Sequence, residues 1–157
     1  ILLNGPTIEP VASAFANNLR TIGINATIRT VDSAQYVERQ RAFDYDMVYS
    51  AWGQSMSPGN EQLNRWSIKA ATTEGTFNYA GAADPGIDAM IDAMLAARSE
   101  DEFETAVRAL DRILISGLYC VPLFHLPEDL VARWKRVARP EVTAIAGLQP
   151  ETWWASV

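Results

Sequence analysis

Three sets of carboxylates lie close enough along this 157-residue chain to act together: Asp44 with Asp46, Asp88 with Asp92, and Asp101 with Glu102 and Glu104. A carboxylate pair can divide acid and base roles between its members when their surroundings differ. The second and third sets fall on segments whose opposite face is apolar, so they read as solvated helix faces, and acidic residues near a helix start also complement the dipole. Asp44 and Asp46 flank Tyr45 at the entrance of an apolar run, and they are the pair a hydrolase or transferase would use. His125 is the one histidine and Cys120 the one cysteine. Those counts exclude a histidine metal cluster, a thiolate zinc site and an internal disulfide. Neither a phosphate-cradling glycine loop nor a serine-elbow motif occurs. No cofactor is implied.

Residues 43–60, FDYDMVYSAWGQSMSPGN, carry chemistry of another kind. Met47, Val48, Tyr49 and Trp52 have the content of a strand buried in a sheet, and a Gly/Ser/Pro loop follows directly. Trp52 beside Gly53, Gln54, Ser55, Met56 and Ser57 offers an apolar wall next to adaptable polar groups, the composition of a small-molecule or peptide site. Packing of the indole in a core is the alternative. In open α/β sheets ligands bind beyond the carboxyl ends of the strands, which is where this loop would lie. His125 follows an apolar run and precedes Leu126-Pro127, and it reads either as a satisfied structural residue or as a ligand-facing one.

The elements that must position these groups are legible from periodicity. Residues 1–3 form a short apolar strand ended by Asn4-Gly5-Pro6. Val11, Phe15, Leu19 and Ile22 recur at helical spacing over residues 9–22, with Pro10 in the first turn and Gly23 after the last. Residues 24–30 then alternate as a half-buried strand does, so strand, helix and strand make a parallel crossover unit. Asp32 or Ser33 caps a shorter helix to about residue 41, with Tyr36, Val37 and Gln40 on one side. Residues 61–66 suit a helical turn, and residues 67–79 read as loop.

Asp84-Pro85-Gly86 starts an amphipathic helix to about residue 97, with Ile87, Met90, Ile91, Met94 and Leu95 inward. Ser99 with Glu102 is a capping box for a second helix, which buries Phe103, Val107, Leu110, Ile113 and Leu114 and ends at Gly117. Residues 119–124 form an apolar strand that Pro122 confines to a sheet edge or a connection, with Cys120 a small buried hydrophobe within it. Residues 125–157 hold Pro127, Pro140, Pro150, Trp134, Trp153 and Trp154 but too little periodicity for a core of their own. They are expected to pack on something else.

The formal net charge of -6 and the lack of a basic run argue against nucleic acid and anionic lipid as partners. No apolar stretch is long enough to span a bilayer. The abrupt opening on Ile1-Leu2-Leu3 leads us to expect a piece of a longer protein, whose targeting segment would lie elsewhere.

The motifs LRTIGINATIRTVD, FDYDMVYSAW, SPGN with downstream Trp66, Asn78 followed by DPGIDAMID, and VPLFH occur in an order that resembles the family 5 extracellular solute-binding proteins of ABC importers. SPGNEQ and the following tryptophan are similar to the branch that includes YejA-type oligopeptide importers. The resemblance implies an α/β, periplasmic-binding-protein-like (type II) lobe with a mixed sheet flanked by helices. Residues 1–124 would be the second lobe, and residues 125–157 would cross the hinge to pack on the first. It implies a non-enzymatic substrate-binding component, periplasmic or extracellular and monomeric at full length. Its partners would be an oligopeptide or peptide-like solute and the ABC permease subunits.

In peptide-binding relatives the tryptophan matching Trp52 lines the cleft, and an aspartate three residues on binds the peptide's amino group. Ser55 stands there in this chain and cannot supply that charge. Phe124 and His125 match ligand-contacting aromatic positions near the hinge. The ligand-binding set implied is Trp52, Gly53, Gln54, Ser55, Asn60, Asn78, Phe124 and His125. Readings from other classes are an enzyme using Asp44 and Asp46, and an interaction module without a ligand site.

Overall fold

The first strand, β1 (Leu2–Asn4), is stopped by its own sequence. Gly5 takes φ 77, a conformation that suits glycine, and Pro6 opens a 3-10 turn over Pro6–Ile8. The computed structural model describes residues 1–51, 53, 57–125, 130–145 and 147–156. They divide into two compact units, Ile1–Cys120 and Val121–Val157.

In the first unit α1 (Glu9–Thr21) follows the 3-10 turn, with Pro10 in its first turn and Gly23 left-handed at φ 84 beyond its end. Ala12 and Ala16 are its buried residues, whereas Val11, Phe15 and Leu19 are half-buried and Ile22 is exposed. The expected stripe of large residues therefore lies at the flank of the contact, and the small side chains face inward. β2 (Arg29–Val31) pairs parallel with β1, Leu2 opposite Arg29 and Asn4 opposite Val31. The strand expected over residues 24–30 begins late because β1 offers so short a partner.

The apolar run at residues 43–52 does not form the expected strand among the described residues. It contributes one parallel bridge, Leu2 to Val48, in which the Leu2 amide donates to Met47 O at 2.8 Å and the Tyr49 amide donates to Leu2 O at 3.2 Å. β1 thus lies between β2 and this bridge, and Leu2 and Leu3 are buried while Met47 is exposed. The turn at Gly5 ends β1, so there is no further edge for a neighbour to follow.

Helices complete the unit. Asp32 caps α2 (Ser33–Arg41) by accepting from the Gln35 amide at 2.9 Å, and Tyr36 is its buried residue. α3 (Glu61–Trp66) is followed by α4 (Ile68–Ala71), a helix in the stretch expected to be loop, whose Ser67 cap accepts from the Ala70 amide at 3.1 Å. Asp88 reaches the same end and accepts from the Ile68 amide at 3.1 Å, so it anchors α4 and is half-buried where a solvated face was expected. α5 (Pro85–Ala96) and α6 (Glu100–Ser116) carry the larger core: Ile87, Ile91 and Met94 meet Ala106 and Leu110, with Ala82 closing the cluster. No described helix is long and apolar enough to cross a membrane.

Gly117 ends α6 with right-handed geometry, and Leu118 takes the left-handed turn at φ 52. A Cβ at Gly117 would lie 2.2 Å from the Tyr119 ring, which folds back toward Trp66 at a ring separation of 6.4 Å. Residues 119–124 form no strand and Cys120 is exposed, contrary to expectation.

In the second unit β3 (Val137–Ala138) pairs antiparallel with β4 (Trp154–Ala155). The single mixed sheet expected is replaced, among the described residues, by one parallel and one antiparallel pair in separate units. The chain is α/β in the broad sense.

Candidate functional site

Asn4 is the last residue of β1, and the chain turns away there through Gly5. At this carboxyl edge the first unit has an open cleft of about 550 Å³. One wall is Asn4 with Thr7 and Ile8 of the 3-10 turn, and α2 supplies Tyr36 and Gln40, one helical turn apart. Tyr49, Ser50, Ala51 and Gly53, which follow the Val48 bridge, make a second wall. Arg65 of α3 and the loop residues Phe77 and Tyr79 make a third. β1 thus ends at a cavity, the relation expected of an open α/β unit.

Two tyrosine hydroxyls fasten backbone carbonyls of the lining. Tyr36 Oη donates to Tyr49 O at 2.5 Å and accepts from Gln40 Nε2 at 3.2 Å, while Tyr45 Oη donates to Tyr79 O at 3.0 Å. Phe77 meets Tyr79 edge to face, with centroids 5.9 Å apart. Arg65 Nη2 donates to Gly53 O at 2.6 Å. Side chains from α2 and α3 therefore hold the backbone at Tyr49 and at Gly53.

Burial raises the phenol pKa values. Tyr45 is pushed up from 10.0 to about 12, by desolvation first and by the nearby Tyr79 and Tyr36 phenols second. Tyr36 rises by burial and then by Tyr79 and Tyr49, and Tyr79 by burial. The phenols stay neutral at physiological pH. Among the described lining residues Arg65 alone carries a full charge, and none is a carboxylate, histidine or cysteine. Such a cleft can stack planar or apolar groups on rings and offer amide and hydroxyl partners to polar ones.

Of the residues singled out from sequence, Gly53 lies on the wall. Trp52, Gln54 and Ser55 lie outside the described residues. Asn60 is exposed at the start of α3 and is not on the lining. Asn78 is 1% exposed and faces the core: its Nδ2 donates to Ser67 O at 3.0 Å and Ala82 O at 2.8 Å, and its Oδ1 accepts from the Ala82 amide at 2.9 Å. Phe124 and His125 are exposed in the second unit. Asp44 pairs with Arg39, and neither Asp44 nor Asp46 reaches the cleft.

Sequence reasoning missed every described lining residue but Gly53, among them Asn4, Tyr36, Gln40, Tyr49, Arg65, Phe77 and Tyr79. Phe77 and Tyr79, two rings in an otherwise polar stretch, were the available signal. Arg65 and Asn4 carried none, since a helix-surface arginine and a strand-end asparagine are ordinary.

Residues 3–74 match the bacterial extracellular solute-binding proteins, family 5, in their middle region. The chain is 52% identical over 154 residues to a Brucella suis protein, covering 98% of this chain and 25% of that one. It is 47% identical over 154 residues to the peptidoglycan-binding protein YepA of Agrobacterium fabrum, with coverages of 98% and 25%. To a protein of the same organism named "Probable peptide-binding protein YejA" it is 40% identical over 155 residues, again 98% and 25%. The chain spans about a quarter of the length of these relatives.

Proposed function

We propose, for a chain that belongs to the family 5 bacterial extracellular solute-binding proteins, that it is part of the substrate-binding component of an ABC importer and captures a peptide or peptide-like solute. The observation that carries this reading is the cleft at the carboxyl edge of β1, walled by fastened tyrosines and by the residues that follow the Val48 bridge. In this reading residues 1–124 are the second lobe of a two-lobed, type II protein, and residues 125–157 pack on the first lobe. Leu130 and Ile145, at 95% and 88% exposure in the second unit, are apolar surface that such packing would cover. Closure of the lobes buries the solute and presents the closed form to the membrane permease, outside the cytoplasm. No bond of the solute is made or broken.

The solute class is narrowed by Ser55, which replaces the aspartate that binds a free amino group in peptide-binding relatives. Relatives named for peptide binding and for peptidoglycan binding support a peptide-bearing solute. A peptidoglycan-derived peptide, whose amino end is joined to sugar through an amide, needs no anionic anchor. Phe124 and His125, with Trp52 and Gly53, would contact it in the closed protein. Gln54, Ser55, Asn60 and Asn78 complete the proposed set, with Asn78 acting from its buried position by shaping the loop that carries Phe77 and Tyr79.

Calorimetric titration of the full-length protein with tri-L-alanine, N-acetyl-tri-L-alanine and a purified disaccharide-tripeptide muropeptide tests this. The reading expects the blocked ligands to bind at least as tightly as the free tripeptide, and residues 1–157 alone to bind each very weakly. Tight binding that requires the free amine would overturn the solute class, and micromolar binding by the isolated chain would overturn the two-lobed capture.

A further inference from the structure

Two side chains from different helices hold the ends of one wall of the cleft. Tyr36 of α2 donates to Tyr49 O at 2.5 Å, and Arg65 of α3 donates to Gly53 O at 2.6 Å. Gln40, one helical turn beyond Tyr36, donates to the phenol oxygen at 3.2 Å and so fixes the direction in which the hydroxyl points. Between these carbonyls lie Ser50 and Ala51, which line the cleft together with Tyr49 and Gly53. The ladder with β1 gives this wall its last bond at the Tyr49 amide. Beyond that point, among the described residues, helix-borne side chains hold the Tyr49 and Gly53 carbonyls.

We propose that Tyr36 and Arg65 are positioning residues of the solute site, which set solute affinity by holding the carbonyls of Tyr49 and Gly53 and so pre-forming the wall at Tyr49, Ser50, Ala51 and Gly53. The inference rests on the reading of this cleft as the solute site. Ordering a loop on binding costs conformational entropy at each residue that must be fixed, and a wall already held before the solute arrives avoids that cost. The two anchors suit the task. A phenol on a helix is rigid, with two rotatable bonds, and an arginine fork gives direction as well as charge. A phenol is protonated at neutral pH, and burial raises the Tyr36 pKa further above its ordinary 10.0, so the hydroxyl is a donor there.

The test uses the full-length protein with Tyr36→Phe, Arg65→Gln, Arg65→Lys and, as a separate arm, Phe77→Ala. Amide hydrogen exchange at Ser50, Ala51 and Gly53 is measured without solute. Affinity is measured with the purified disaccharide-tripeptide muropeptide. Loss of one anchor is expected to speed exchange and weaken binding by about fivefold, the equivalent of one hydrogen bond. Arg65→Lys is expected to behave as Arg65→Gln does, because the lysine keeps the charge and loses the geometry.

Unchanged exchange in Tyr36→Phe and Arg65→Gln overturns the proposal, as does faster exchange with affinity kept within twofold. Wild-type affinity in Arg65→Lys with loss in Arg65→Gln overturns it too, since charge would then be the role of Arg65. If Phe77→Ala weakens binding while the anchor variants do not, the cleft reading stands and the positioning role falls. If Phe77→Ala binds as wild type does, the cleft reading itself falls.

Discussion

Asn78 was marked by resemblance as a solute contact, yet it sits in the core of the first unit, and Asn78→Ala separates the two roles. The amide makes three hydrogen bonds, at 3.0 and 2.8 Å from Nδ2 to Ser67 O and Ala82 O and at 2.9 Å from the Ala82 amide to Oδ1. Ala82 belongs to the α5–α6 core, and Ser67 caps α4, so one side chain ties loop, cap and core together. Truncation removes all three bonds and leaves two carbonyls and one amide in a site with no exposure to share, since Asn78 is 1% exposed. At about 1 to 1.5 kcal/mol for each bond, the loss is about 3 to 4.5 kcal/mol. A cost of that size corresponds to more than a hundredfold shift in the local opening equilibrium. Amide exchange at Ala82 in the full-length protein reads it directly, and a rise of about a hundredfold or more is expected. A rise of less than fivefold would refute the structural account of Asn78. Loss of solute affinity with Ala82 protection intact would make it a direct contact.

Gly117→Ala should destabilise the α6 end by about 1 to 3 kcal/mol, because the new Cβ would meet the Tyr119 ring at 2.2 Å; in a Tyr119→Ala background the cost, read by urea titration, should largely vanish. Ser99→Ala should cost about 1 kcal/mol by removing the acceptor for the Glu102 amide at 3.2 Å, with exchange at Glu102 and Phe103 rising first. Tyr45 should titrate near 12 against an ordinary 10.0, so its contribution to stability is complete below pH 10 and is lost as pH rises through 12. Phenolate absorbance should show that late step in the wild type, and Tyr45→Phe should delete it and flatten the alkaline stability loss.

Helices were the legible part of this sequence because their signals are local. Asp32, Asp84 and Ser99 each accept from a first-turn amide as caps should, and the apolar period placed Ile87, Ile91, Met94 and Leu110 in the core. Even the capping box differs in one arm, since Glu102 turns back to the Arg98 amide at 2.9 Å and not to that of Ser99. Strands were less legible because a strand exists only through its partner. The alternation at residues 24–30 was real, but β1 could pair with only its last part. Residues 119–124 read as a strand from composition, yet they pair with no described strand, and Leu118 before them is left-handed at φ 52.

Of the described cleft lining, Gly53 alone was singled out from sequence, because a Gly/Ser/Pro loop after an apolar run is a local signal. The other walls come from α2, α3 and the loop that Asn78 organises. Their convergence depends on packing that no local window contains. Exposure of Cys120 had no local signal, since its neighbours in sequence are apolar.

The central claim is that this chain helps capture a peptide-bearing solute without altering it, and native mass spectrometry of the full-length protein after gentle purification tests it most directly. The account predicts one retained solute per protein, carrying amide-linked residues and a blocked amino end, with its mass unchanged on prolonged incubation and its retention reduced by Phe77→Ala. A retained solute without peptide character, or a mass that shifts to that of a hydrolysed or transferred product, would contradict it.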